Sequence, residues 1–157
     1  MIDGFLSRQD FIQVIERAPL ISIDLIIKNK NGDILLGRRT NRPAKGYWFV
    51  PGGRIFKNEL LADAFLRLTQ TELGEAIPLA QAKYLGIYEH LYKDCVFDER
   101  ISTHYVVLAY ELELSKTAHC KTAQHDLSRW FNIAELNSSE SVHQNTKNYF
   151  IPKFFSE

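Results

Sequence analysis

Cysteine is scarce: Cys95 and Cys120 are the only two in 157 residues. A pair cannot make the disulfide scaffold of a small secreted domain, so both are expected to be ordinary thiols in a reducing, cytoplasmic setting. Charge of one sign is not in excess either. Lys plus Arg and Asp plus Glu are both 19, for a formal net charge of zero. That balance removes the basic footprint of a nucleic-acid or anionic-membrane binder, so any phosphate ligand must be held by a local group of cations. No apolar run reaches membrane-spanning length, and the opening MIDGFLSRQD lacks the apolar core of a signal peptide. Repeats, low-complexity tracts and linker-like shifts are also missing, so residues 1–157 read as one domain.

Apolar residues make up 45% of the chain, enough to bury a core. Ser7 can cap a first helix, with Asp10 three residues on and Phe11, Ile12 and Ile15 forming a stripe that ends before Pro19. Leu20 to Lys28 reads as a buried strand, interrupted by Asp24. Asn31-Gly32 is a hairpin turn returning through Asp33 to Arg38. After the loop TNRPAKGYW comes a short apolar piece at Phe49 and Val50, then Pro51-Gly52-Gly53. Leu61, Ala64, Phe65 and Leu68 recur at helical spacing, and Gly74 stops that helix. Strands are expected at Lys83 to Leu91 and Thr103 to Leu114, with a short one at Arg129 to Phe131. Helices are expected at Asn132 to Leu136 and Val142 to Phe150. Mixed strands around one strong helix imply an α/β (α+β) sandwich.

The central helix and the glycines before it spell Gly53-x5-Glu59-x7-Arg67, followed by LTQTELG. This resembles the Nudix box, G-x5-E-x7-R-E-U-x-E-E-x-G-U, whose loop–helix–loop holds a divalent metal against a diphosphate. Gly53, Glu59, Arg67, Glu72 and Gly74 fit the pattern. Leu68 and Thr71 stand where the family has Glu, and Glu75 stands at a usually apolar position. Positions 68, 71 and 72 share one side of a helix, so with Glu72 alone the helix supports at most one metal. The chain as a whole is similar to the GDP-mannose mannosyl hydrolases of that family. The match runs through Asp24, GRRTNRPAKGYWFVPGGR, RLTQTELG, THYVVL and QHD, and their box is degenerate at the same two places.

That resemblance implies a Nudix fold, a homodimer, and one Mg²⁺ or Mn²⁺ held by Gly52 (backbone carbonyl), Glu72 and Gln124. All are oxygen donors, which suits a hard cation. It implies cleavage of a nucleotide sugar at the anomeric carbon with inversion, releasing GDP and hexose. His125 would be the general base, because an imidazole with an ordinary value near ~6.5 is poised for that work. Arg39 and Arg54 fall to the diphosphate, and Asp24 to the sugar. Phe5, Leu6, Phe11 and Tyr105 fall to the guanine, although Phe11 serves equally as a core anchor of its helix. Arg67 is either a phosphate ligand or the partner of Glu59. His90 is either a donor to the diphosphate or a satisfied core histidine. Tyr47, Trp48 and Phe49 are read as loop packing. Two other outcomes remain. One is a nucleotide-sugar pyrophosphohydrolase attacking phosphorus, with Glu89 or Asp126 replacing the lost ligands. The other is a non-catalytic nucleotide-sugar sensor.

Overall fold

The computed structural model describes residues 6–115, 118 and 125–152, with backbone alone at 125 and 126. Phe5, Cys120 and Gln124 lie outside the described residues, as does the His125 side chain. The elements in order are α1 (Arg8–Arg17), β1 (Leu20–Lys28), β2 (Ile34–Arg39), β3 (Trp48–Phe49), β4 (Gly52–Arg54), α2 (Leu61–Leu73), β5 (Lys83–Tyr92), β6 (Thr103–Glu113), β7 (His125–Phe131), α3 (Ile133–Ser138) and α4 (Gln144–Lys147). Short 3-10 turns at Leu79–Gln81 and Asn148–Phe150 follow α2 and α4. The strands form one mixed sheet in the order β3-β2-β1-β6-β5, with β4 added to β1 and β7 to β2. β1 and β6 run parallel, and the other named strand pairs are antiparallel.

Strand alternation sends β1 side chains to two layers. Ile23, Leu25 and Ile27 pack under α2 with Ala64, Phe65 and Leu68. Ile26 faces the other way, into a second core with Leu36, Phe131, Leu136, Val142 and Tyr149. The sheet is therefore covered on both faces, by α2 on one and by α3, α4 and the last 3-10 turn on the other. A third cluster joins Ile15 of α1 to Leu20 and the buried thiol of Cys95.

Ser7 caps α1 by accepting from the Asp10 backbone N–H at 3.1 Å, and Gly74 ends α2 in a left-handed conformation, φ 79°. Gly52–Arg54 forms a strand that pairs with Ser22 to Asp24 of β1. Its glycines permit close approach: a Cβ on Gly52 would collide with the Ile23 carbonyl oxygen. Two expectations are corrected. β7 begins at His125 rather than Arg129, because its polar first half belongs to a strand paired with β2. Val142 to Phe150 is not one helix, since Val142 bridges to Trp48 and helical turns begin only at Gln144.

Candidate active site

A cavity of about 610 Å³ opens where β1, β4 and the C-terminal half of α2 meet the ends of β5 and β6. That size is within the range of small-molecule sites. Among the residues expected at the site, Leu6, Phe11, Asp24, Arg39, Gly52, Arg54, Arg67, Glu72, His90 and Tyr105 all line it. Glu89 is exposed on β5 and is not among its walls. The cavity thus draws together positions spread from the first helix to the sixth strand.

Asp24 replaces an apolar residue on the α4 side of β1. Its Oδ2 accepts a 2.5 Å hydrogen bond from the Tyr149 hydroxyl. Burial pushes its carboxyl up to about 6, against the lowering pull of Tyr149 and Arg39. The same Tyr149 oxygen lies 3.3 Å from Nε2 of His90. His90 is 4% exposed, and burial, with His143 nearby, presses it down to about 4. It is therefore a neutral imidazole at neutral pH. Tyr92, two residues on and also lining the cavity, has its phenol raised by burial.

The cations are held in fixed settings. Arg39, at the end of β2, donates from Nε to the Pro43 carbonyl at 2.9 Å. The Arg54 guanidinium sits 4.5 Å from the ring centre of Phe11 and 4.9 Å from that of Phe56. Burial lowers its pKa from the ordinary value. Arg67 grips Glu59 with two bonds, Nε to Oε1 at 2.6 Å and Nη2 to Oε2 at 2.9 Å, and also donates to the Arg54 carbonyl. Glu59 accepts from the Phe56 N–H as well, and the Arg67 hydrogen bond holds its carboxyl below the usual range. This pair braces the loop between β4 and α2. Arg67 is thus Glu59's partner while still lining the cavity.

On α2, Leu68, Thr71 and Glu72 all face the cavity. Glu72 is 2% exposed. Leu68 is packed so tightly on β4 that a Cβ on Gly53 would lie 2.6 Å from its Cδ2. The first position where the motif has a carboxylate is therefore core, and the second is a hydroxyl. Across β2 and β7, His125 is the backbone partner of Arg39.

The protein matches the family model described as NUDIX domain over residues 18–154. The chain belongs to the Nudix family. Its fold is the Nudix fold, and the chemistry of the family is hydrolysis aided by a divalent cation. The low-salt glycan biosynthesis protein Agl8 of Haloferax volcanii is 39% identical over 118 residues, 75% of this chain and 74% of that one. An ADP-ribose pyrophosphatase of Methanocaldococcus jannaschii is 37% identical over 70 residues, 45% of this chain and 40% of that protein. In structure, a MutT Nudix hydrolase from Burkholderia pseudomallei aligns with TM-score 0.67 at 24% identity. The alignment covers 85% of this chain and 96% of that one.

The donors present suit the hard divalent cation of a Nudix site. Glu72 and the Gly52 carbonyl offer oxygen beside the cavity, and among the described residues no three His, Cys, Asp or Glu side chains group as a metal cage. Sequence reasoning missed Tyr92, Phe56, Phe97 and Tyr149. Tyr92 was within reach, since it shares a strand face with His90. Tyr149 sends no local signal, standing 125 residues from the carboxylate it serves.

Proposed function

We propose that this Nudix protein hydrolyses a nucleoside diphosphate hexose, GDP-mannose first among candidates, by water attack at the anomeric carbon, giving GDP and free hexose. The observation that carries it is the helix α2 face, where Leu68 is buried against Gly53 and Glu72 is the single carboxylate of the three motif positions. Attack at phosphorus calls on several helix carboxylates to collect metal ions. Displacement at carbon expels a diphosphate, already a good leaving group, and needs chiefly charge stabilisation. A Mg²⁺ or Mn²⁺ on Gly52, Glu72 and Gln124, when bound, would neutralise charge building on that group.

The protein's own residues do the rest. Arg39 and Arg54 bring fixed positive charge to the diphosphate, each already oriented by its neighbours. The Arg67–Glu59 pair holds the loop that carries this wall. His125 takes the proton of the attacking water from the far side of the ring, as an inverting reaction requires. Asp24 meets the sugar, and Phe5, Leu6, Phe11 and Tyr105 form the base subsite. The relative named for glycan biosynthesis supports sugar-nucleotide chemistry, while the one named ADP-ribose pyrophosphatase favours the alternative of phosphorus attack. A homodimer and a cytoplasmic setting belong to the same reading and rest on the resemblance. Among the described residues no helix is long and apolar enough to cross a membrane.

Hydrolysis of GDP-mannose in heavy-oxygen water decides between the routes. Label in the hexose is expected; label in GMP or a hexose phosphate would overturn the proposal. His125→Gln is expected to lower turnover about a hundredfold or more. Full activity in that variant removes His125 from the mechanism.

A further inference from the structure

We propose that Tyr149 is a positioning residue that sets the tautomer of His90, so that His90 presents the lone pair of Nδ1 to the ligand and accepts from a sugar hydroxyl instead of donating to the diphosphate. This rests on the hexose-nucleotide reading above and assigns the sugar end of that site.

The argument follows one hydrogen. The Tyr149 hydroxyl lies between two groups, Asp24 Oδ2 at 2.5 Å and His90 Nε2 at 3.3 Å. Burial and Asp24 hold the phenol well above its ordinary value, so at neutral pH the oxygen keeps its proton. A carboxylate is acceptor-only, and the shorter bond takes the single hydroxyl hydrogen. What the Tyr149 oxygen then offers His90 is a lone pair. Nε2 must therefore bring the hydrogen. Burial keeps the ring neutral, with one N–H in all, so Nδ1 is left without one.

An imidazole lone pair repels a phosphate oxygen and attracts a hydroxyl hydrogen. Asp24 and His90, both lining the cavity and joined through the Tyr149 hydroxyl, are thus acceptors, whereas Arg39 and Arg54 are donors. Acceptors suit the hydroxyls of a hexose, and donors suit a diphosphate. The ring is held in place by Phe49 and Tyr92, with centroids 6.5 and 6.4 Å from its own. No carboxylate is needed to orient it directly. Tyr149 connects it to one.

The test reads the ring itself. In nitrogen-15 histidine-labelled protein at pH 7.5, His90 is expected as the Nε2–H tautomer, with Nδ1 at the shift of a bare nitrogen. In Tyr149→Phe, which keeps the ring and loses only the oxygen, that single tautomer is expected to give way to a mixture. An Nδ1–H ring or an imidazolium in the native protein overturns the proposal, and so does an unchanged spectrum in Tyr149→Phe. Should the variant fail to fold, the native spectrum alone decides. The second readout compares KM for GDP-mannose with the inhibition constant of GDP. Tyr149→Phe is expected to raise KM about tenfold, the scale of one lost hydrogen bond, and leave GDP within about twofold. Equal losses for both would place His90 on the diphosphate and sink the idea. If the native protein does not hydrolyse GDP-mannose, the reaction assignment fails while the imidazole spectrum still decides the tautomer.

Discussion

Two buried titratable groups, Asp24 and His90, pull the stability of this fold in opposite directions with pH. The folded His90 titrates near 4, below the ordinary 6.5, so the fold favours its neutral form. Its contribution is fully present above about pH 6.5 and is lost as pH falls through 4. Asp24 titrates near 6, above 3.8, so its protonated form is favoured, and that contribution disappears as pH rises through 6. Urea unfolding of native protein and His90→Gln isolates the first. The native protein's margin over the variant is expected to shrink by about 3 kcal/mol between pH 7 and pH 4, and a pH-independent margin would contradict a neutral buried ring. The two motif glutamates differ in another way. Glu59 is committed to Arg67, whereas Glu72 sits at the cavity with the Gly52 carbonyl. Glu72→Gln is therefore expected to raise the Mg²⁺ concentration needed for activity more than Glu59→Gln does. Glu59→Gln should instead cost stability, by about 1–3 kcal/mol, for a charged pair with one partner buried. The reverse order in a metal titration would show the ligand assignment to be wrong. At this scale the sequence was most informative where chemistry conflicts with position: an Asp inside an Ile-rich strand demands an explanation, and Tyr149 supplies it.

The helix α2 and strand β4 show why some elements were legible and others not. α2 announces itself through period and a glycine stop, and it spans Leu61–Leu73 as the pattern implies. β4 has two glycines and no apolar alternation, so nothing in its composition distinguishes a strand from a turn. Only the contact does. Gly52 meets backbone, the Ile23 carbonyl, while Gly53 meets the flexible end of Leu68. Gly52→Ala is thus expected to destabilise more than Gly53→Ala, and adding Leu68→Ala should relieve only the second, as a double-mutant coupling in thermal melts. Additive effects would mean that α2 and β4 are not packed as described. β7 was half visible, its apolar end Trp130 and Phe131 readable and its polar start hidden. The loop–helix portion of the site followed from the motif spacing. The wall made by Phe56, Phe97 and Tyr92 did not, because aromatics in loops and at strand ends carry no period.

Across the whole molecule, both faces of the sheet contribute to one cavity, and the C-terminal elements close the second core. Val142 and Thr146 are nearly inaccessible and Tyr149 is 9% exposed, all on the layer opposite α2. Ending the chain after residue 141 is expected to lower the melting temperature sharply and abolish hydrolysis; a truncated protein with native stability would show that this layer is dispensable. The hydrogen bond from Tyr149 to Asp24 joins residues 125 apart. On a ribosome, the strand bearing the acid emerges long before the phenol that steadies it. A nascent polypeptide short of residue 149 would thus carry a buried acid without its partner, so the setting of Asp24 is complete only once this late hydroxyl has been made.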